Sequence, residues 1–423
     1  MKKNSHKALV SPYFIWFLGA LFFLVDYIIR VSPSVLTPEL MHTFHVNAFA
    51  VGLFSGYFYY AYIGMQIPVG ILVDRFGPKR LLVVAILICA ISAFVFSDTH
   101  SIQIGYFSRI LMGFGASFAF VGTLKLVSLH FSGERFALLA GITQAMGMLG
   151  AMIGQGPMAM VYHSVGWREA MHGFGLFFIL LCLLVFIFVK DKSRQSHLED
   201  AHTLLSVKIL PALKAVLTNH QSWLNCLFVG LLYAPSACFG EQWGAPFLSA
   251  NQHIPITNAG HETGIMFIGL AIGCPVLGWV SDYLKKRVIV MRVSAVFCLL
   301  LLTAVIYGNL SPFYTTILLF VYGFFNSGIV VSYSMASEIN SRQFTGIALG
   351  LANMASVIIG ALMIPVVGLI LDHFWDGALQ NGIHYFSPSI YKMAFLALPI
   401  VFIAAFFITF LQKETGCKRV SMM

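Results

Sequence analysis

Four ionisable residues stand inside otherwise apolar stretches of the chain: Asp26, Arg30, Arg109 and Glu241. Such groups are expensive in hydrocarbon, so each is read first as a functional residue with a partner. Asp26 and Arg30 have i,i+4 spacing with the acid first, the favourable helical orientation for an ion pair. That pair can be purely structural. Alternatively, a proton taken up by Asp26 frees the Arg30 guanidinium, whose planar fork of donors suits a carboxylate or phosphate. Arg109 lies roughly 10–12 Å inside the outer end of its own helix, a depth comparable to that of Arg30. It could complete an anion clamp with Arg30, or serve as a scaffold bonded to backbone carbonyls. Glu241 sits near the end of its helix, as a proton-carrying or gate residue or as a solvated end charge.

The uncharged candidates are weaker. Among Tyr57, Tyr59, Tyr60 and Tyr62, the pair Tyr57 and Tyr60 shares a face and could line a cavity. Gln144, Asn326 and Asn353 are candidate substrate contacts, although interhelical hydrogen bonding accounts for them equally well, as it does for Gln66 and Tyr233. Lys125, near a helix end, reads as a snorkelling cation. The histidines show no metal-ligand spacing, and the seven cysteines form no CxxC pair, so no metal or cofactor is expected.

The elements that position these residues must be membrane helices. Hydrophobic residues make up 59% of the 423 and charged residues 10%, and apolar runs of around 20 residues recur along the whole length. A transmembrane barrel would need short alternating segments, which are missing. Twelve helices are expected. The first six are Tyr13–Val35, Phe49–Val73, Leu81–Phe96, Ile102–Leu126, a glycine-rich fifth through Gly141, Gly147, Gly150, Gly154 and Gly156, and a sixth from Gly166 to Val189. The others are Trp223–Leu248, with a break at Pro246, Glu262–Val280, Val288–Tyr307, Phe313–Ala336, Gly346–Leu371 and Ile390–Leu411. The longest polar stretch divides the chain into 1–190, a linker at 191–222 and 223–423. With twelve spans and a cytoplasmic N-terminus, 20 of the 25 Lys and Arg residues fall on the cytoplasmic side, so the net charge of +9 reflects membrane orientation and not nucleic-acid binding.

A short loop, Gly70 to Arg80, joins helices 2 and 3 with Asp74, Arg75, Gly77, Pro78 and Lys79 between. About 208 residues later Gly278 and Asp282 repeat its Gly-x-x-x-Asp spacing before Lys285, Lys286 and Arg287, without equivalents of Arg75 and Gly77. The repeat implies two related halves.

This loop resembles the signature between helices 2 and 3 of the major facilitator superfamily, and Arg109-x-x-x-Gly113-x-Gly115 resembles that family's helix 4 motif. The resemblance covers nearly the whole chain. It implies an all-α membrane protein of two pseudo-symmetric six-helix bundles working by alternating access, with Gly70, Asp74, Arg75, Gly77, Arg80 and Asp282 in conformational gating. The stretch Asp26-Tyr27-x-x-Arg30-x-x-x-Ser34, and Trp243-Gly-Ala-Pro246 more faintly, resembles the anion:cation symporter branch, which includes sialin and sugar-acid transporters. Helix 5 departs from the exporter pattern: Gly141, Gly150 and Gly154 keep the spacing, but Gln155 replaces the proline.

The expected activity is proton-coupled symport of a small carboxylate-bearing anion by a monomer in the inner membrane, both termini cytoplasmic. Substrate contacts would be Arg30, Arg109, Tyr57, Tyr60, Gln144, Asn326 and Asn353; proton coupling falls to Asp26 and Glu241. Carriage of amino acids, short peptides or a siderophore is the alternative, and drug efflux comes third. No nucleophile–base set, HExxH or ATP-binding loop argues for an enzyme or a pump.

Overall fold

A computed structural model describes residues 11–131, 133–189, 209–341, 344–380 and 382–418. Most of the expected linker therefore lies outside the described residues. The first half comprises α1 (Pro12–Val31), α2 (Pro33–Phe44), α3 (Ala48–Phe76), α4 (Pro78–Asp98), α5 (Ile102–His130), α6 (Gly133–Gly154), α7 (Gly156–Val165) and α8 (Trp167–Phe188). The second half opens with α9 (Ile209–Thr218) and α10 (His220–Pro235), which runs through a π-helical turn (Ser236–Trp243) into α11 (Gly244–Gln252). It continues with α12 (Ile256–Leu284), α13 (Arg287–Tyr307), α14 (Pro312–Asn326), α15 (Ile329–Glu338) and α16 (Thr345–His373). A two-residue hairpin, β1 (Leu379–Gln380) with β2 (Ile383–His384), precedes α17 (Pro388–Ala394) and α18 (Ala397–Leu411).

Among the described residues, ten spans are long and apolar enough to cross a membrane, three of them made of consecutive helices (α10–α11, α14–α15 and α17–α18), or eleven with the bent α6–α7 pair as one. Helix α3 is not among them despite its 29 residues, because four tyrosines and Gln66 dilute it. Several spans that hydropathy alone makes continuous are broken. Pro33 ends α1, and the chain continues to Phe44 instead of stopping near Val35. The seventh span departs from α-helical geometry before Pro246, over Ser236–Trp243, a stretch bracketed by Pro235 and Pro246. Each proline removes one N–H and crowds the carbonyl four residues back, which favours a widened turn between them.

The two halves repeat each other in packing as well as in sequence. Helix α1 packs on α6 as α10 packs on α16; α3 packs on α5 as α12 on α14; α4 packs on α8 as α13 on α18. Atom-level contacts recur too. Cys89 Sγ lies 3.9 Å from the Met112 carbonyl, and Cys298 Sγ lies 3.9 Å from the Tyr322 carbonyl. A Cβ on Gly113 would fall 2.0 Å from the Phe58 carbonyl oxygen, and one on Gly323 would fall 1.9 Å from that of Met266. Close backbone approach of this kind replaces the hydrophobic effect as the force holding helices together in lipid. Gly113→Ala and Gly323→Ala should each cost about 1–3 kcal/mol by overpacking. A similar loss of thermal midpoint for both in detergent would check the symmetry; a silent Gly323→Ala would contradict it.

We call the side carrying the α3–α4 turn the basic face. Across the seam between halves, α3 runs beside α16 and α6–α7 beside α12. At the face opposite the basic one the seam is tight. A Cβ on Gly52 would meet Pro365 at 2.8 Å, one on Gly368 the Ala48 carbonyl at 2.6 Å, and one on Gly156 the His261 ring at 2.2 Å. Asp372 caps α3 from the other half, accepting from the amides of Ala48 at 3.0 Å and Phe49 at 2.7 Å. Toward the basic face, Cβ positions built on Gly64, Gly70, Gly141, Gly346 and Gly350 have no heavy atom within 4 Å. The seam is packed tightly at the opposite face and more loosely toward the basic one, where Asn353 Nδ2 still reaches Gln66 Oε1 at 2.9 Å.

Candidate functional site

The centre of the site arises from the break in α1. Pro33 has no N–H to give the Ile29 carbonyl, and that oxygen instead accepts from Ser32 Oγ at 2.8 Å and Arg109 Nη1 at 3.2 Å. Arg109 Nη2 takes the next carbonyl, that of Arg30, at 3.2 Å. Arg109 thus shores up the broken end of α1, in the scaffold arrangement, and is 1% exposed. Helix α1 then presents Arg30, whose Nη2 bonds Asp26 Oδ2 at 2.9 Å. The Arg30 guanidinium lies over Tyr27 at 4.1 Å, Tyr62 at 4.6 Å and Phe58 at 5.2 Å, and its Nε has no hydrogen-bond partner among the described residues. The Phe58 ring also faces Arg109, at 4.8 Å, so one ring stands beside both guanidinium groups.

Glu241 completes the centre from the other half. It is buried in the π turn, not solvated at a helix end. One carboxylate oxygen accepts from Tyr233 Oη at 2.7 Å, and the other accepts from Tyr59 Oη across the seam. Glu241, Asp26 and Arg30 are close enough for their charges to interact.

The remaining candidates are scattered. The face of α3 that reaches the centre carries Ser55, Phe58, Tyr59, Tyr62 and Gln66. Tyr57 instead packs its ring on Tyr106 at 5.0 Å, and Tyr60 donates to the Ala361 carbonyl at 3.3 Å. Both tyrosine pairs have i,i+3 spacing, so spacing alone could not choose between them; the run 55–59–62–66, ending on a glutamine, was the available signal. Asn353 Nδ2 bonds Gln66 Oε1 across the seam at 2.9 Å, and Tyr333 Oη reaches Asn353 Oδ1 at 3.3 Å. Asn326 is fully buried and braces the Leu232 carbonyl at 2.8 Å. Gln144 is half-buried on α6.

At the basic face, Gly77 takes a φ of +82°, the left-handed half of backbone space that glycine tolerates. Its counterpart 208 residues on, Lys285, keeps a positive φ of 54° without being glycine. Gly70 is half-buried, whereas Arg75 and Arg80 are exposed; the Asp74 side chain lies outside the described ones. Asp282 pairs with Arg287 Nη1 at 2.6 Å, and Glu338 holds the same arginine at 2.7 Å.

Two helical halves packed around a buried charged centre have the architecture of a membrane carrier. Its family is equally plain: the Major Facilitator Superfamily model matches residues 15–248 and 242–420, and the chain belongs to that family. It is 25% identical over 276 residues to the probable sulfoacetate transporter SauU of Cupriavidus necator, a match covering 63% of this chain and 64% of that protein's length. Against the probable galactarate/D-glucarate transporter GudP of Bacillus subtilis it is 22% identical over 403 residues, covering 84% and 86%. These relatives are consistent with the anion:cation symporter branch. A bacterial homologue of the human lysosomal transporter Spinster, crystallised inward-facing and occupied, superposes with a TM-score of 0.76 at 15% identity over 98% of this chain and 100% of the other. The chain is therefore a multi-pass membrane protein of a transporter family, and its matches to three curated relatives span 63–66% of their length.

Proposed function

We propose that the protein imports a small carboxylate-bearing organic anion together with a proton. The observation that carries this reading is the Asp26–Arg30 pair, enclosed by aromatic rings, with the Arg30 Nε unpartnered among the described residues. The names of the two relatives, a sulfoacetate and a sugar-diacid transporter, support an anionic cargo. Charge counting supports the coupling. Asp26 and Glu241 balance Arg30 and Arg109, so the buried centre is neutral when all four are ionised. An added anion would leave it negative in low dielectric unless a carboxylate takes up a proton. A proton on Asp26 also releases the guanidinium fork for the substrate carboxylate. In this reading Arg30 contacts substrate, Arg109 holds the backbone that carries Arg30, and Gln66, Gln144, Tyr333 and Asn353 face the more loosely packed side.

The remaining orientation belongs to the same proposal: a monomer in the bacterial inner membrane, twelve spans with α3 counted, basic face and termini in the cytoplasm. The loop from Gly70 to Arg80 would clasp the basic face when the opposite one opens. The test is internal pH in proteoliposomes given pools of sugar acids, monocarboxylates, amino acids, dipeptides or lipophilic cations. Acidification on adding an acid pool is the expected result. Acidification with amino acids or peptides alone would change the cargo, and alkalinisation with lipophilic cations would replace symport by efflux.

A further inference from the structure

Three consecutive residues of the π turn reach across the seam, between them to the α6–α7 junction, α3 and α2. The Gly240 carbonyl accepts from Gln155 Nε2 at 2.6 Å, at the junction of α6 and α7. Glu241 accepts from Tyr59 of α3. Gln242 accepts from Ser55 Oγ of α3 and donates to Thr37 Oγ1 of α2 at 3.2 Å. Gln155 and Gln242 are fully buried, and Thr263 Oγ1 lies 3.4 Å from Gln155 Oε1. Neighbouring side chains on an α-helix diverge by about 100°, so they rarely face one surface. A π turn is wider, and such turns concentrate at functional sites.

We propose that this π turn couples the central site to the opposite gate. Gln155 and Gln242 are positioning residues that hold the turn against the first half while Glu241 keeps its bond to Tyr59. Loss of that bond lets the turn rewind to α-helical register. Tightening the turn from five-back to four-back bonding spreads its successive residues about 100° apart, so residues 240–242 no longer share the seam-facing surface and the tethers leave together. The titratable and charged groups facing Glu241 are Asp26, Tyr27 and Arg30 from α1, Tyr59 from α3 and Tyr233 from α10. The register can also be pressed directly. The Gly244 amide bonds the Phe239 carbonyl five residues back, and a Cβ on Gly244 would fall 2.4 Å from that oxygen. The inference rests on alternating access and is independent of the substrate class.

The test is hydrogen–deuterium exchange on the full-length protein in nanodiscs, comparing Gln155→Ala, Gln242→Ala and Gly244→Ala with the unchanged chain. Exchange should rise at least tenfold over 236–243 and over 48–53 together, while 287–307 stays protected. Lowering pH should produce the same paired rise in the unchanged protein and none in Glu241→Gln. Asp372→Asn, which loosens the α3 cap without touching the turn, should raise 48–53 alone. A rise over 236–243 without 48–53 would show that the turn does not reach the gate. A uniform rise across all segments would mean only a loosened fold, and would equally overturn the coupling. A wrong cargo would leave the paired pattern intact.

Discussion

Arg30→Ala should abolish measurable uptake of the anion while leaving a foldable protein. Truncating one partner of a buried, hydrogen-bonded charge pair costs about 2–5 kcal/mol, or roughly 30-fold to several thousandfold in affinity. Asp26 would lose its guanidinium partner at 2.9 Å and take up a proton in place of standing as an unpaired buried charge. Arg30→Lys separates charge from geometry. It keeps the cation but loses the planar fork and the stacking over Tyr27 and Tyr62, so a partial loss of affinity is expected. Arg109→Lys should behave differently. Arg109 holds the Ile29 and Arg30 carbonyls, so its replacement should lower thermal stability together with transport. Equilibrium binding and thermal midpoints on the same preparations check this ordering. Unchanged binding in Arg30→Ala would move the anion site elsewhere.

The two arginines differ in how much of their surroundings is legible in the sequence. Both stand out as costly intramembrane charges, and Asp26–Arg30 as a pair, because these follow from hydropathy and i,i+4 geometry. For Arg109 a scaffold bonded to backbone carbonyls is one of two readings the sequence leaves open, and which carbonyls those are is hidden, because the Ile29 oxygen freed by Pro33 leaves no letter in the sequence. The superfamily fold is readable from the loop at Gly70 and its echo at Gly278. The echo reaches further than the residues suggest, since Lys285 keeps the positive φ of Gly77 after the glycine is lost. Chain connectivity imposes that turn, and a lysine can bear it at modest strain.

Counting 1.5 Å per residue puts Glu241 near a helix end, but that count assumes an unbroken helix. The π turn and the further run through α11 to Gln252 move that end away and bury the carboxylate. The opposite-face latch is hidden for a similar reason. Asp372 reads as the acid that closes an apolar run, and only the fold brings it to the first amides of α3, over 320 residues earlier in the chain. Gln155 is visible only as a missing proline. Its bond to the Gly240 carbonyl depends on both halves meeting, which local periodicity cannot report.

The sharpest separation of roles should come from Asp26→Asn beside Glu241→Gln. With one proton per anion charge, each unit of pH gradient drives about tenfold accumulation, since 1.4 kcal/mol corresponds to a factor of ten. Asp26→Asn keeps an oxygen to accept from Arg30 and leaves the centre permanently one charge more positive. The anion can then enter without a proton, so counterflow exchange should persist while accumulation per pH unit falls from about tenfold to none. Glu241→Gln changes the charge by the same amount and puts an NH2 donor in place of one of the two oxygens that accept from Tyr59 and Tyr233, so one hydroxyl must turn to accept while the other still donates, and no protonation step remains to release the side chain. The turn therefore stays tethered to α3, and exchange itself should slow along with the loss of accumulation. Radiolabelled counterflow and pH-driven uptake in the same proteoliposomes distinguish the two. Accumulation surviving in Asp26→Asn would remove that residue from the coupling, and fast exchange in Glu241→Gln would mean that the Tyr59 bond does not hold the gate.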